Sequence, residues 1–438
     1  MSQELLGLVS LGILFVAIFI GFPIAFTLIV ISLAVGWFAL GGLVVNLMTL
    51  QIFAVMRDPT LTSIPFFLAM GYLLEQSGLM DRLFRGFQLM FASLRGSLYL
   101  AVLVTATIFA AATGIVGSSV TLLGVMAAPV MRRSGYDVRM SAGAIAAGGT
   151  LGILIPPSVM LIVMGPVVGV PVTDLFAGAI LPGLMLAGLY AAYCLIRCHL
   201  NPELGPPLPP EEHAASVGVI LKELVLGMAP VVVILLATLG VIMAGIATPT
   251  DAGAVGCFAV FVLTLLYRRL TWPGFIQASR ATLETSCMIL LLVAASNLFG
   301  AVFSRLGSAS YIASLLLGLD LSPTMLLLLI LGVIFVLGWP LEWVPIVLVV
   351  VPIMLPLVKQ LGIDLVWFSI LVAVCMQTAW LSPPVALSAY FLRGVVPDWP
   401  LMKIYQGMMQ FMVLQILGVL ILLAFPALAL YLPSLLHD

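Results

Sequence analysis

The sequence predicts an all-α polytopic membrane protein: about ten transmembrane helices plus two re-entrant hairpins, arranged as two inverted repeats. Three observations predict it. The chain of 438 residues is 63% hydrophobic and only 8% charged, where a soluble domain carries roughly a quarter charged residues. Apolar runs of about 20 residues, the length that crosses a bilayer, recur along it. Proline, glycine and aspartate positions also recur between its halves at a nearly constant spacing.

The apolar runs fall at 5–22, 23–44, 61–78, 140–170, 174–197, 222–244, 250–267, 283–304, 364–395 and 403–432. Met1–Glu4 lacks a positive segment and the first run leads into a second, which predicts no cleavable leader. Two further stretches, 97–131 and 323–357, are interrupted by TGIVGSS (Thr113–Ser119) and GWPLEWVP (Gly338–Pro345). Each half is too short to cross comfortably, so both read as hairpins that leave on the side they entered. Before the first hairpin, residues 79–97 place Leu83, Phe87, Met90 and Leu94 on one stripe, opposite Asp81, Arg85, Gln88 and Arg95. That pattern predicts an amphipathic arm along the membrane surface. Residues 201–221 open with five prolines in ten residues and form a stiff polar linker. It divides the chain into a first repeat, 1–200, and a second, 222–438.

With this topology, thirteen of the sixteen lysines and arginines share one face, leaving Arg57, Arg305 and Lys359 on the other. The positive-inside rule makes the richer face cytoplasmic and both termini periplasmic.

Several function classes are excluded. The net charge of −1 and the lack of a basic tract give nucleic acid nothing to bind. No phosphate loop, zinc-protease motif or nucleophile–base constellation occurs, and the chain is not expected to be an enzyme. Cys194 and Cys198 lie one helical turn apart without a second ligand pair.

At an offset of 227, Pro129 pairs with Pro356, Gly135 with Gly362, Asp137 with Asp364, and Pro156–Pro157 with Pro383–Pro384. Upstream, Gly71 and Gly78 pair with Gly300 and Gly307 at 229. Each repeat holds five spans, an odd number, so the second copy is inverted. Glycine and proline break the helix in GGTLGILIPPS (Gly148–Ser158) and again at Ser382–Pro384. In hydrocarbon such breaks survive only inside protein or beside a cavity. Paired breaks in inverted repeats mark the midplane site of a secondary transporter, where freed carbonyls meet cations and freed N–H groups meet anions.

The motifs GTLGILIPPS, ATGIVGSSV, ATPTDAG, DLFAGAILPGL and LSPPVALSAYFLRGVVP make the chain resemble the large membrane subunit of the tripartite ATP-independent periplasmic (TRAP) transporters, over almost its whole length. The resemblance implies an elevator-type importer of organic acids, usually carboxylates, in the bacterial inner membrane, with Na+ as coupling ion. It implies two protein partners, a periplasmic binding protein and a small membrane subunit of about four spans, with membrane lipid around them. It also implies substrate contacts at Ser118 or Ser119, Ser158 and Glu342. Sodium ligands, mostly carbonyls, fall at Gly117, Ser118, Gly149, Thr150, Gly152, Gly338, Thr378 and Ser382. The chain departs from the family at the second tip, where GWPLE replaces Gly-Met-Phe-Leu-Asp, and at SPP, which replaces Thr-Pro-Pro.

Each site has a structural alternative. Gly148, Gly149, Thr150 and Gly152 suit close helix packing; Ser118 and Ser119 suit a tight turn; Ser158 suits a helix cap. Glu342 suits an ion pair with Lys359 or Arg305. Thr248 and Asp251 fit a capping box, Asp137 and Asp364 fit caps, and Arg393 fits a cytoplasmic anchor. C4-dicarboxylates, 2-oxo acids and sugar acids all stay open as substrates. So do two rival functions, a self-sufficient sodium/dicarboxylate carrier and a non-transporting scaffold subunit.

Overall fold

The computed structural model describes residues 2–208, 217–383 and 385–437; Pro384, His213 and the rest of linker residues 209–216 lie outside the described residues. Within the described residues the chain is helical, and seven helices are at least 18 residues long and apolar enough to cross a membrane. The first half runs through α1 (Gln3–Ile20), α2 (Ile24–Leu40), α3 (Leu43–Arg57), α4 (Ser63–Gln76), α5 (Leu79–Met90), α6 (Ser97–Thr113), α7 (Val116–Arg133), α8 (Val138–Thr150), α9 (Val159–Val168) and α10 (Val172–Leu200). The second runs through α11 (Val217–Met243), α12 (Pro249–Leu266), α13 (Trp272–Arg305), α14 (Ser308–Leu317), α15 (Pro323–Gly338), α16 (Trp343–Gln360), α17 (Leu365–Leu381), α18 (Leu387–Val395), α19 (Leu401–Ala424) and α20 (Ala427–His437).

Apolar side chains cover both the inside and the outside. Ile20, Phe38, Val233 and Phe258 are between 61% and 86% exposed, an arrangement water penalises and lipid does not. The helices next to the breaks lie innermost: Met140–Thr150 of α8 and Val159–Gly165 of α9 are buried throughout. Gly407 lets α19 cross α8 closely, since a Cβ there would sit 1.8 Å from the Arg139 carbonyl oxygen.

Positions paired in the sequence share their local conformation. Gly78 and Gly307 precede α5 and α14 with φ of 72° and 76°, and Gly135 and Gly362 adopt 73° and 67°. Asp137 and Asp364 each accept the N–H three residues on, from Met140 and Trp367, at 2.9 Å. Pro129 and Pro356 lie within α7 and α16. At the upstream offset, the single 34-residue helix α13 matches α3 and α4 together. Asp58 divides that pair: proline at 59 disfavours helix there, and Asp58 Oδ1 accepts the Thr60 and Leu61 N–H groups at 2.8 and 3.2 Å.

Several expected elements differ in extent. Helix α3 lies outside the expected runs beyond its first two residues, because Asn46, Thr49 and Gln51 dilute its hydropathy. The arm expected over 79–97 is helical only to Met90. Its Leu83 and Phe87 are buried, and Leu83 lies against Gly227 of α11, whereas Met90 and Leu94 are 42% and 45% exposed. The stripe therefore packs on α11 instead of lying on lipid along its length. The run at 403–432 is two helices, since Pro426 disfavours helix at Phe425 (φ −125°, ψ 74°), and α20 returns onto α10. The start of the linker is pinned, with Leu204 O accepting from Tyr99 Oη at 2.7 Å and from Asp137 N at 3.1 Å.

Candidate functional site

Helix α8 loses its regular hydrogen bonding after Thr150. Leu151–Ile153 form a single 3₁₀ turn, Pro156 and Pro157 have no N–H to continue it, and Ser158 is extended (φ −119°, ψ 128°). The fully buried Ser158 hydroxyl donates to Ile153 O at 2.6 Å. It thereby satisfies a carbonyl that the break leaves free.

The tip between α6 and α7 sits on this break. Gly114 turns the chain with φ 63°, and a Cβ there would lie 3.2 Å from Pro157 O. A Cβ on Gly149 would fall 2.4 Å from Val120 Cγ2, and one on Gly71 2.7 Å from Thr113 O. These glycines permit close approach of backbone to backbone. Thr113 and Ser119 fasten the turn through their hydroxyls, 3.3 Å apart. Ile115 precedes α7 in extended conformation and caps it with no side-chain hydrogen bond.

The second break follows Leu381. Ser382 is extended (φ −86°, ψ 120°), and Ala386, at φ 35°, turns the chain into α18 with its N–H donating to Ser382 O at 3.0 Å. Thr378 Oγ1 donates to Cys375 O and Ser382 Oγ to Thr378 O, both at 2.6 Å. Thr150 connects the two halves: its Oγ1 lies 3.1 Å from Gln377 Oε1 and accepts from Gln415 Nε2 at 3.2 Å.

Both tips open onto one cavity of about 570 Å³. The first supplies Gly114–Ser118 and the second Glu342–Val344, while α4 supplies Tyr72 and Glu75 and α13 supplies Thr285. Tyr72 Oη and Thr285 Oγ1 are 3.0 Å apart. Trp343, Trp380 and Phe391 add aromatic faces, the last two stacked with centroids 6.4 Å apart. Two carboxyl groups line the cavity, and no lysine, arginine or histidine does so among the described residues. Glu75 and Ser118 face one another. Yet Glu75 Oε1 and Ser118 Oγ, both buried, reach hydrogen-bond geometry with no described residue.

Of the site residues expected from the sequence, Gly117, Ser118 and Glu342 meet here. Gly338 lines an adjoining recess of about 30 Å³ together with Glu342 and Trp380. Ser119, Ser158, Gly149, Thr150, Gly152, Thr378 and Ser382 stand behind the wall, within the tips and breaks. Glu342 makes none of the ion pairs among the described residues, which are Arg132–Asp398, Arg280–Glu284 and His437–Asp174. Arg393 donates to Trp399 O, away from the cavity. Thr248 caps α12, accepting the Asp251 N–H at 3.2 Å. Sequence reasoning missed Glu75, whose signal was a carboxylate inside an apolar run, the same signal that singled out Glu342.

The chain is similar to several transport proteins. It is 30% identical to the C4-dicarboxylate TRAP transporter large permease protein DctM of Pseudomonas aeruginosa, over 89% of this chain and 90% of that one. It is 28% identical to the sialic acid TRAP transporter large permease protein SiaM of Vibrio cholerae, over 95% and 96%. Its fold is similar to that of the Alcanivorax borkumensis YdaH transporter, with a TM-score of 0.63 at 16% identity, over 90% of this chain and 89% of that one. The family described as "Tripartite ATP-independent periplasmic transporter, DctM component" matches residues 11–428, and this multi-pass membrane chain belongs to it.

Proposed function

We propose that the chain is the large permease subunit of a sodium-coupled secondary transporter in the bacterial inner membrane. It imports organic acids by an elevator-type alternating-access movement, with two inverted repeats supplying the moving core. A periplasmic binding protein delivers the acid, and a small membrane subunit of about four spans braces the large one. The observation that carries the reading is the convergence of both tips, Gly114–Ser118 and Glu342–Val344, on one cavity. Helix α7 presents its uncapped N-terminus there, a setting that favours an acid group.

The oxygen-rich turns at and behind the cavity wall suit a hard cation. Tip and break touch at the first turn, where a Cβ on Gly152 would lie 3.6 Å from Ile115 N. Gly117, Ser118, Gly149, Thr150 and Gly152 would hold one sodium ion; Gly338, Thr378 and Ser382 would hold the other. Each charge entering down 100 mV contributes about 2.3 kcal/mol, so two ions drive concentrative uptake. The distribution of lysine and arginine supports periplasmic termini.

Reconstitution tests the proposal. Proteoliposomes carrying the chain with its small subunit, supplied with the binding protein and acid, accumulate the acid only under an inward sodium gradient. Uptake indifferent to sodium overturns the coupling. Uptake by the large chain alone identifies a self-sufficient carrier, and sealed, correctly inserted vesicles with no uptake identify a scaffold.

A further inference from the structure

The cavity is ill suited to a plain dicarboxylate. Glu75 and Glu342 both open onto it, and none of the described residues lining it carries a positive charge. Two carboxyl groups in a shared cleft repel an anion and concentrate cations. Its volume of about 570 Å³ far exceeds that of a bare ion and is ordinary for a small organic molecule. Its oxygen donors, Tyr72, Glu75, Ser118, Thr121, Thr285 and Glu342, share the wall with the aromatic faces of Tyr72, Trp343, Trp380 and Phe391, which give a sodium ion nothing to bind beyond the one phenol. An ammonium or quaternary ammonium group, in contrast, is attracted to such faces. The buried Glu75 Oε1, left without a hydrogen bond of regular geometry, supplies an acceptor at the cavity wall.

We infer that the cavity selects an organic acid that also carries a positively charged nitrogen, an amino-acid-like or betaine-like zwitterion. The inference rests on the transport reading above and narrows its substrate class. The positive group lies between Glu75 and Glu342 against the aromatic rings. The acid group lies at the N-terminus of α7, where Val116 and Gly117 line the cavity.

Thiol labelling tests this whatever the natural substrate is. Ser118→Cys is introduced into the full chain, and its modification rate above that of the parent is measured in sodium buffer. With each rate divided by that of the same reagent toward a free small thiol, a trimethylammonium methanethiosulfonate reacts about tenfold faster than the sulfonate analogue. Adding Glu75→Gln and Glu342→Gln makes the two rates equal, while an unchanged rate with neutral maleimide shows that this variant is folded. Trimethylglycine slows maleimide labelling in the protein that keeps both glutamates, and succinate does not.

Equal rates in that protein, a faster anionic reagent or no labelling at all overturns the inference. So does protection by succinate, the absence of protection by trimethylglycine, or its persistence in the Gln variant. A cationic preference seen in sodium-free buffer and abolished by sodium assigns the carboxylates to an inorganic ion and also overturns it. Sodium-driven uptake of an acid, measured separately, stands or falls independently of these rates.

Discussion

At the first break a side chain closes the turn: the Ser158 hydroxyl holds Ile153 O at 2.6 Å, and the glycines at 71, 114 and 149 let the tip bear directly on backbone. At the second, Ala386 makes the turn with φ 35°, and Gly300, the counterpart of Gly71, has no atom within 4 Å of its Cβ position. The tips differ likewise. Two residues, Gly114 and Ile115, join α6 to α7, while four, Trp339–Glu342, join α15 to α16. A π turn also interrupts α16 at Ile346–Val350, whereas α7 is continuous. Equivalent positions in the two halves thus carry different loads. The first is packed to fixed geometry, and the second has room for the long tip that brings Trp343 and Glu342 to the cavity.

The largest expected effect concerns the charge on that second tip. In the proposed transporter, Glu342→Gln lowers uptake by roughly a hundredfold, because losing one partner of a desolvated charge contact costs about 2–5 kcal/mol. Glu75→Gln has a comparable effect from the first half. Initial uptake rates in proteoliposomes, normalised to inserted protein, measure both. Loss at Glu342 alone makes the cavity one-sided and contradicts a shared role.

Next comes packing. Gly71→Ala places a methyl 2.7 Å from Thr113 O, so the tip must shift. Overpacking of this kind costs about 1–3 kcal/mol. Gly300→Ala enters open space inside α13 and stabilises by about 0.5–1 kcal/mol, since glycine is the poorer helix former. Thermal unfolding in detergent compares the two substitutions. Equal destabilisation shows that the paired glycines carry equal loads after all.

Both breaks were legible because glycine and proline at such density disfavour a continuous membrane helix, and Asp137 and Asp364, paired in the sequence, cap α8 and α17 alike. Glu342 stood out as a charge within an apolar stretch. Glu75 carries the same signal, but it sits one residue from the end of the 14-residue helix α4, where a polar side chain passes for a boundary residue. The cavity could not be read at all. It depends on α4, α13 and the two tips meeting in space, and hydropathy reports each segment separately. The role of Ser158 was undecidable for a related reason, since cap and ligand demand the same hydroxyl; in the fold it caps no N–H of α9 and donates to Ile153 O at 2.6 Å.

That bond supports a smaller prediction. Ser158→Ala leaves Ile153 O buried without its partner and lowers stability by about 1–2 kcal/mol, with the apparent affinity for substrate unchanged. Ser118→Ala does the reverse, lowering affinity while thermal stability holds, because the Ser118 hydroxyl has no partner to lose among the described residues. Unfolding temperature and the KM for uptake, measured on both variants, separate a structural bond from a substrate contact. A raised KM in Ser158→Ala with unchanged stability moves that serine into the site.

The smallest effect is expected at Ala386, and it tests the contrast between the breaks most finely. A non-glycine residue in the left-handed region costs about 1–2 kcal/mol, which Ala386→Gly removes. Against that, glycine adds unfolded-chain freedom worth about 0.4–1 kcal/mol, and the deleted methyl, fully buried, forfeits roughly another 0.8 kcal/mol. The three contributions nearly cancel, so the stability of Ala386→Gly, read from thermal unfolding, matches wild type to within about 1 kcal/mol. Gly114→Ala, at φ 63° in the first tip, has no such compensation: strain and the approach to Pro157 O, 3.2 Å from the added Cβ, act in the same direction. If Ala386→Gly instead loses more than about 2 kcal/mol, the methyl is holding the second turn through packing. The second break would then be as tightly tied as the first.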